Sequence, residues 1–172
     1  IPGCRITAVC DVREARTAVR LPGTASTDTY LRGDLVIAAA LRAGAAANLN
    51  DRESRHLQAA QDWAQGRYND GTSRYARIAQ ESPRDLLALQ YAHVGCFFLG
   101  LQAELRDWPL QAMRAFSKGE DGYSYIQGMA AFGLEECGDY ARADIFGRQA
   151  VDADPRDGWA VHAVAHVNEM RG

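Results

Sequence analysis

The sequence lacks most of the features that would point directly to an activity. No apolar run approaches the length of a membrane-spanning helix, which needs about 18 residues or more. The motifs G-x-x-x-x-G-K-S/T, G-x-G-x-x-G and G-x-S-x-G do not occur, so nucleotide binding and serine-hydrolase chemistry have no support. Lysine is nearly missing: Lys118 stands alone among 19 basic residues, and the formal net charge is −3. Nucleic-acid binders usually carry a basic face, so we expect neither a nucleic acid nor a membrane as a partner.

No two cysteines form a C-x-x-C pair. The four residues are Cys4, Cys10, Cys96 and Cys137. We expect buried free thiols, because free cysteine packs like a small hydrophobic residue, and a bridge between Cys4 and Cys10 would need an oxidising compartment. Residues 1–10 lack the basic start and apolar core of a signal peptide, which favours a cytoplasmic protein. The 30 alanines and 18 arginines indicate GC-rich bacterial coding.

Helical periodicity dominates the rest of the sequence. Residues 1–32 are rich in Pro, Gly, Thr and Ser and predict an irregular segment, with a short strand over 6–9 and a short helix over 12–19 at most. Residues 33–172 predict one helical domain. Its helices are expected over 33–47, 51–65, 70–80, 85–100, 102–116, 123–137, 140–152 and 158–170. Pro109 is expected to kink or interrupt its helix.

Helix-start signals support these boundaries. Asn50 with Glu53 three residues later is typical of a capping box. Asp85 and Asp157 each precede an apolar helical segment and are expected to be N-caps.

The sequence also contains an internal repeat. Gly66–Tyr68 is followed by Pro83–Asp85, and Gly138–Tyr140 is followed at the same spacing by Pro155–Asp157. The distance from the first copy to the second equals two units of about 36 residues each, close to the length of a tetratricopeptide repeat. A helix–turn–helix unit of this length, with G-x-Y at the turn and Pro at the end, is typical of that repeat. We therefore predict an all-α, tetratricopeptide-like helical repeat array, an α-α superhelix; the alternative is an irregular all-α domain with two similar turns.

Three segments resemble the tetratricopeptide repeat protein 38 family. They are Asp85–Asp107, Ser124–Asp144 and Asp154–Gly172, and the most specific motif is W-A-V-H-x-V-A-H-V-x-E-M from Trp159 to Met170. The resemblance covers residues 50–172 well and 33–49 loosely. It implies an all-α repeat array without a firmly assigned activity. Family members are much longer, so the resemblance implies an N-terminal part or a shortened relative.

His162, His166 and Glu169 form the pattern most suggestive of chemistry. Their i, i+4, i+7 spacing places them on one face of a helix. Such a stripe suits zinc or non-haem iron, and a metal-dependent enzyme, or a fragment of one, is the alternative function. The same three residues also fit a hydrogen-bonded polar stripe between packed helices, because a histidine in contact with a carboxylate needs no metal.

Other titratable residues carry weaker hypotheses. His93 lies among apolar and aromatic residues and is expected to be a hydrogen-bonded core histidine. His56, flanked by charged residues, is expected to be solvated. Glu135 and Glu136 are adjacent, so we do not expect their carboxylates to face each other.

We expect a protein-interaction scaffold from this chain rather than catalysis. The first helices of tetratricopeptide units line a concave surface that holds a peptide or partner helix. The predicted lining is polar and adds five residues to the histidine stripe: Arg52, Arg55, Gln90, Gln127 and Asn168. The partner, a protein or a peptide, is not identified by the sequence.

Burial and assembly can also be predicted. The expected core side chains are Trp63, Leu89, Phe97, Phe132 and Trp159. Along the helix 158–170, a stripe of Trp159, Ala163, Val164, Val167 and Met170 spans a wide arc that one preceding helix would not cover. We therefore predict that the chain forms a homo-oligomer, or binds another chain, through this helix, since exposed apolar faces usually find a partner.

Overall fold

The computed structural model describes Gly44 and residues 48–172 of the chain. Residues 48–172 contain seven α-helices joined by short turns and one 3₁₀ turn. These are α1 (Asp51–Ala64), α2 (Tyr68–Glu81), α3 (Leu86–Leu99), α4 (Gln102–Ala112), α5 (Tyr123–Glu136), α6 (Tyr140–Ala153) and α7 (Gly158–Arg171). The all-α prediction is confirmed for this part. The expectations for residues 1–32, including Cys4 and Cys10, lie outside the described residues, as does most of the helix predicted over 33–47, of which Gly44 is helical.

The helix ends follow from local hydrogen bonds that the sequence signals. The capping box is present: Glu53 N–H donates to Asn50 Oδ1 and Asn50 N–H donates to Glu53 Oε2, both at 2.9 Å. Asp85 accepts from Ala88 N–H at 2.9 Å, and Asp157 caps α7 in the same way. Side-chain caps of this kind stabilise a helix start by about 1 kcal/mol each.

Pro109 does not interrupt its helix, so the predicted interruption is wrong, while the alternative of a kink stays a prediction. It lies buried within α4, which continues to Ala112 before tightening into a 3₁₀ turn over Met113–Ala115. A proline in a helix removes one backbone donor, and here the α-helical pattern is lost only beyond Ala112.

Three turns between helices share one glycine conformation. Gly66, Gly100 and Gly138 have φ of +75°, +70° and +77°, the left-handed region in which a Cβ is strained. They separate α1 from α2, α3 from α4, and α5 from α6, so one such turn stands within each successive helix pair. The sequence repeat does not reveal the turn at Gly100, because Gln102 stands where the other two turns have a tyrosine.

The chain divides after Gly71 into two compact units. In the first unit, Gly71 approaches α1 closely: a Cβ on it would lie 2.9 Å from the Ala59 carbonyl oxygen. His56 is buried there, together with Ala59 and Asp62, so the prediction that it is solvated is wrong. Its charged neighbours in sequence project from other faces of α1, whereas the spacing 56, 59, 62 places His56 on the buried face.

In the second unit, α5 is the central helix. All ten residues from Ile126 to Glu135 are buried, which identifies a helix packed on every side. Its neighbours are α4, α6 and α7. At Gly133, a Cβ would lie 2.5 Å from the Leu105 carbonyl oxygen and 2.6 Å from Arg106 Cα, so α4 and α5 approach backbone to backbone.

Two groups of buried side chains fill the space around α5. One consists of Cys96, Leu105, Ala131, Phe132 and Ala163, and the other of Leu134, Ala143 and Val167. The Cys96 thiol is free, and burial raises its pKa to about 12, with the negative charge of Glu104 adding to the effect. Cys137 is free but only half-buried, so the prediction of buried thiols is confirmed for Cys96 alone.

The burial predictions succeed for the centre of this core and fail at its edge. Leu89 and Phe132 are each 1% exposed, while Trp63 and Trp159 are half-buried. Phe97 is 42% exposed, so its predicted burial is wrong. Among the described residues, no helix combines the length and apolarity needed to cross a membrane.

The apolar stripe of α7 is covered within the chain to a greater extent than the sequence suggests. Ala163 and Val167 have no exposed surface, because α7 packs against both α5 and α6. Met170, at the end of the helix, is 61% exposed. The premise that this stripe stays largely uncovered is therefore wrong, and self-association through the helix stays a prediction.

Candidate functional site

A cleft of about 560 Å³ opens between the helices α3, α5 and α7. The helices α3 and α7 each follow a Pro-Arg-Asp segment, and α3 and α5 each precede a glycine turn. The cleft is lined by Phe97, Ser124, Tyr125, Phe132, Asp154, Arg156, Asp157, Gly158, Trp159 and His162. A concave, largely apolar surface with a few polar groups is the usual form of a ligand site.

The wall of the cleft is a continuous cluster of aromatic rings centred on Phe132. Its ring centroid lies 5.4 Å from that of Phe97, 5.0 Å from Trp159 and 5.2 Å from His162. His93 also belongs to the cluster: its ring lies edge-to-face with Trp159, with the two ring centroids 4.8 Å apart. Tilted and edge-to-face pairs at these distances are favourable, so the wall is held in one arrangement.

Gln90 fixes the polar edges of two of these rings. Its Oε1 accepts from the Tyr125 hydroxyl and from the Trp159 indole N–H at 3.1 Å. Because one amide oxygen ties α5 and α7 to α3, the orientation of Trp159 in the cleft is set by three helices.

The start of α7 lies at the bottom of the cleft. Asp157 Oδ1 accepts from Trp159 N–H at 3.0 Å and Ala160 N–H at 3.4 Å. Burial raises the pKa of Asp157, and these two backbone bonds oppose that shift. Any Cβ on Gly128 would collide with the Asp157 carboxylate, so only glycine at this position of α5 leaves room for the cap.

His93 is the buried core histidine that the sequence predicts. Its Nε2 lies 3.1 Å from the Met129 carbonyl oxygen, to which the neutral ring donates. Burial lowers its pKa to about 4, and the bond to Met129 opposes that shift only partly. The ring is therefore neutral at physiological pH and serves packing.

The histidine stripe on α7 leads away from the cleft toward the end of α5. The rings of His162 and His166 lie 4.1 Å apart, and His166 Nδ1 lies 3.4 Å from Glu135 Oε1. Glu169, the third predicted ligand, is exposed. The metal prediction for His162, His166 and Glu169 stays a prediction.

A different group of possible ligand atoms is present beside this stripe. Glu135, Glu136 and His166 each bring one such atom within 4.8 Å of the others. The prediction that the adjacent glutamates do not meet is therefore wrong, because both side chains are long enough to converge at the end of α5. Burial raises the pKa of Glu135 and Glu136 raises it further, while His166 lowers it.

The five predicted groove residues lie outside the cleft lining. Gln90 supports the cleft from α3, Gln127 is buried and donates to Gln149 at 2.6 Å, and Asn168 accepts from Arg148 at 3.1 Å. Arg52 is exposed on α1, and Arg55 pairs with Asp51 at 3.3 Å. Their role in binding a partner stays a prediction.

Sequence reasoning missed the aromatic lining of the cleft. The sequence pattern predicts Phe97 and Trp159 as core residues, because nothing in one sequence tells which aromatic ring lies at the edge of a core. The one usable signal is the pair Phe97-Phe98, which the structure leaves 42% and 78% exposed.

No protein-family model matches this sequence, and no solved structure matches the chain. The cleft with its ring cluster, and the histidine–glutamate group beside it, are thus the features on which a function for this chain can be based.

Proposed function

We propose that the chain is a tetratricopeptide-like scaffold that binds a peptide segment in the cleft between α3, α5 and α7. The observation that carries this proposal is the exposed edge of the ring cluster, where Phe97 and Trp159 border an open cleft of about 560 Å³. The half-exposed aromatic surface is suited to receive one apolar side chain of a partner.

Regular helix lengths and turns support the repeat architecture. Six of the seven helices in residues 48–172 are 14 residues long. The positive-φ glycines Gly66, Gly100 and Gly138 recur at intervals close to the tetratricopeptide period of about 34 residues. A crystal structure in which the helix pairs superpose, related by one constant rotation, tests this architecture.

The polar rim favours a peptide over a purely apolar ligand. Ser124 and the ion pair of Asp154 with Arg156 border the apolar wall, and such groups supply hydrogen bonds to a backbone. Aromatic residues in well-packed pockets are the usual anchors of such interfaces. We therefore expect the bound segment to carry an aromatic or large aliphatic side chain flanked by polar residues.

A displayed peptide library, selected on the untagged full chain, tests the proposal. Selected peptides are expected to share one apolar anchor position and to change the tryptophan fluorescence of the chain, to which Trp159 in the cleft contributes. The Phe97→Gln variant should weaken binding about tenfold or more, which corresponds to about 1.4 kcal/mol.

Phe98→Gln is the matched control. Phe98 is adjacent in sequence and 78% exposed, but it does not line the cleft. Equal affinities for the Phe97 and Phe98 variants, or no selected consensus, would count against this function.

A further inference from the structure

We propose that Glu135, Glu136 and His166 bind a divalent transition-metal ion, with His162 as an additional ligand. The site lies where the last turn of α5 meets the middle of α7, next to the cleft, whose lining includes His162. Peptide binding does not require this ion, and the ligand group differs from the stripe that sequence spacing alone suggests.

The distances suit a small, four-coordinate ion. Zinc binds imidazole nitrogen and carboxylate oxygen at about 2.0–2.2 Å, so two ligands of a tetrahedral site lie about 3.4 Å apart. His166 Nδ1 and Glu135 Oε1 are separated by 3.4 Å. An oxygen of Glu136 lies within 4.8 Å of the ligand atoms of Glu135 and His166. Small side-chain rotations would shorten this distance to the spacing of zinc ligands.

The Glu135 carboxylate supplies an independent indication of a missing ligand. Its side chain is only 8% exposed, and its buried Oε2 has no hydrogen-bond partner within the described part of the chain. Buried polar atoms are nearly always paired, and an unpaired one is costly. A bound cation would satisfy this oxygen.

The position of the two glutamates adds to this argument. Glu135 and Glu136 are the last two residues of α5, where the helix dipole places partial negative charge. Two adjacent carboxylates at that end repel each other and the dipole. A divalent cation bound at this end offsets both repulsions.

The donor set selects the class of metal. Imidazole nitrogen with carboxylate oxygen suits zinc and related transition ions, while calcium and magnesium prefer oxygen ligands alone. His162 lies one helical turn before His166 with its ring 4.1 Å away. The His166 side chain is 43% exposed, which leaves an entry path for an ion.

Zinc titration of the untagged full chain, read by calorimetry and by the melting temperature, tests the site. We expect saturable binding of one Zn²⁺ that is lost in His166→Gln and falls by about 100-fold in Glu136→Gln, since even changes beyond the direct ligands cost about 10- to 100-fold. Co²⁺ should give the visible absorption of a four-coordinate ion with nitrogen and oxygen ligands. Glu136 is half-buried at the helix end, so this variant is expected to fold, and circular dichroism checks it.

Glu169→Gln is the matched control, because Glu169 lies on the same helix as His166 but outside the group. It should bind Zn²⁺ as the unchanged chain does. Zinc affinity that is unaffected by His166→Gln and Glu136→Gln would overturn the proposal. So would equal competition by Mg²⁺, which would indicate a purely electrostatic acidic patch, or loss of binding in Glu169→Gln alone.

Discussion

His93 illustrates how one buried ring couples stability to pH. Its pKa in the folded chain is about 4, well below the ordinary 6.5. Between these two values the unfolded chain binds a proton that the folded chain does not. The share of the free energy of unfolding that depends on His93 is therefore fully present above pH 6.5 and decreases as the pH falls toward 4.

We predict that replacing this ring with a neutral amide removes its share of the pH dependence. His93→Gln keeps a donor for the Met129 carbonyl but cannot titrate. Urea unfolding at several values between pH 7 and pH 5 should give a shallower loss of stability in this variant, by at most about 1.4 kcal/mol per pH unit. Parallel pH profiles for the two proteins would show that His93 is not buried as a neutral ring.

At the scale of the helices, the contact between α4 and α5 depends on a missing side chain. A Cβ on Gly133 would meet the Leu105 carbonyl oxygen at 2.5 Å and Arg106 backbone nitrogen at 2.7 Å. Backbone atoms cannot rotate away as a side chain does, so the helices would have to move apart.

Gly133→Ala should therefore destabilise the chain by about 1–3 kcal/mol or more, despite the better helix propensity of alanine. Gly158→Ala is the control, because a Cβ at the start of α7 meets nothing within 4 Å; its effect should stay within about 0.5 kcal/mol. Thermal or urea unfolding measures both. A Gly133→Ala protein as stable as the Gly158→Ala protein would contradict the close approach of α4 and α5.

At the scale of the whole molecule, the packing of α7 changes the test of self-association. Val167 is completely buried beside Leu134 and Ala143. Val167→Glu should therefore cost about 3 kcal/mol or more through an unpaired buried charge, so a change in mass in this variant would reflect lost stability as well as a lost contact between copies.

Val161→Glu is the variant that tests self-association, because Val161 is 46% exposed on the outer side of α7. We predict that it leaves the melting temperature nearly unchanged and lowers the mass measured by light scattering if copies associate through this helix. A monomeric mass for the unchanged chain across a concentration series would refute the predicted association.

Local sequence signals predicted the helices well, whereas features that depend on how the helices pack could not be predicted from the sequence. The caps at Asn50, Asp85 and Asp157 and the turns at Gly66 and Gly138 are encoded within a few residues, so sequence reasoning finds them. The meeting of Glu135 with His166 depends on how α5 and α7 pack, which helix periodicity does not determine. The exposed edge of Phe97 was missed for the same reason, since periodicity gives the apolar face of a helix but not the point where its neighbours end.

Because burial raises the pKa of Cys96 to about 12, the rate at which this thiol is alkylated should measure how often the core opens. Alkylating reagents attack the thiolate, so Cys96 should remain almost unmodified while the core is closed. Modification of Cys96 should therefore require an opening of the core group that surrounds it. Cys137, half-buried directly after α5, serves as an internal standard that reacts without such an opening. In a chain with Cys4 and Cys10 changed to serine, mass spectrometry should find Cys137 labelled far faster than Cys96, with a ratio that shrinks as urea is added. Similar labelling rates in the absence of urea would mean that the buried core around Cys96 is as accessible to the reagent as the half-buried Cys137.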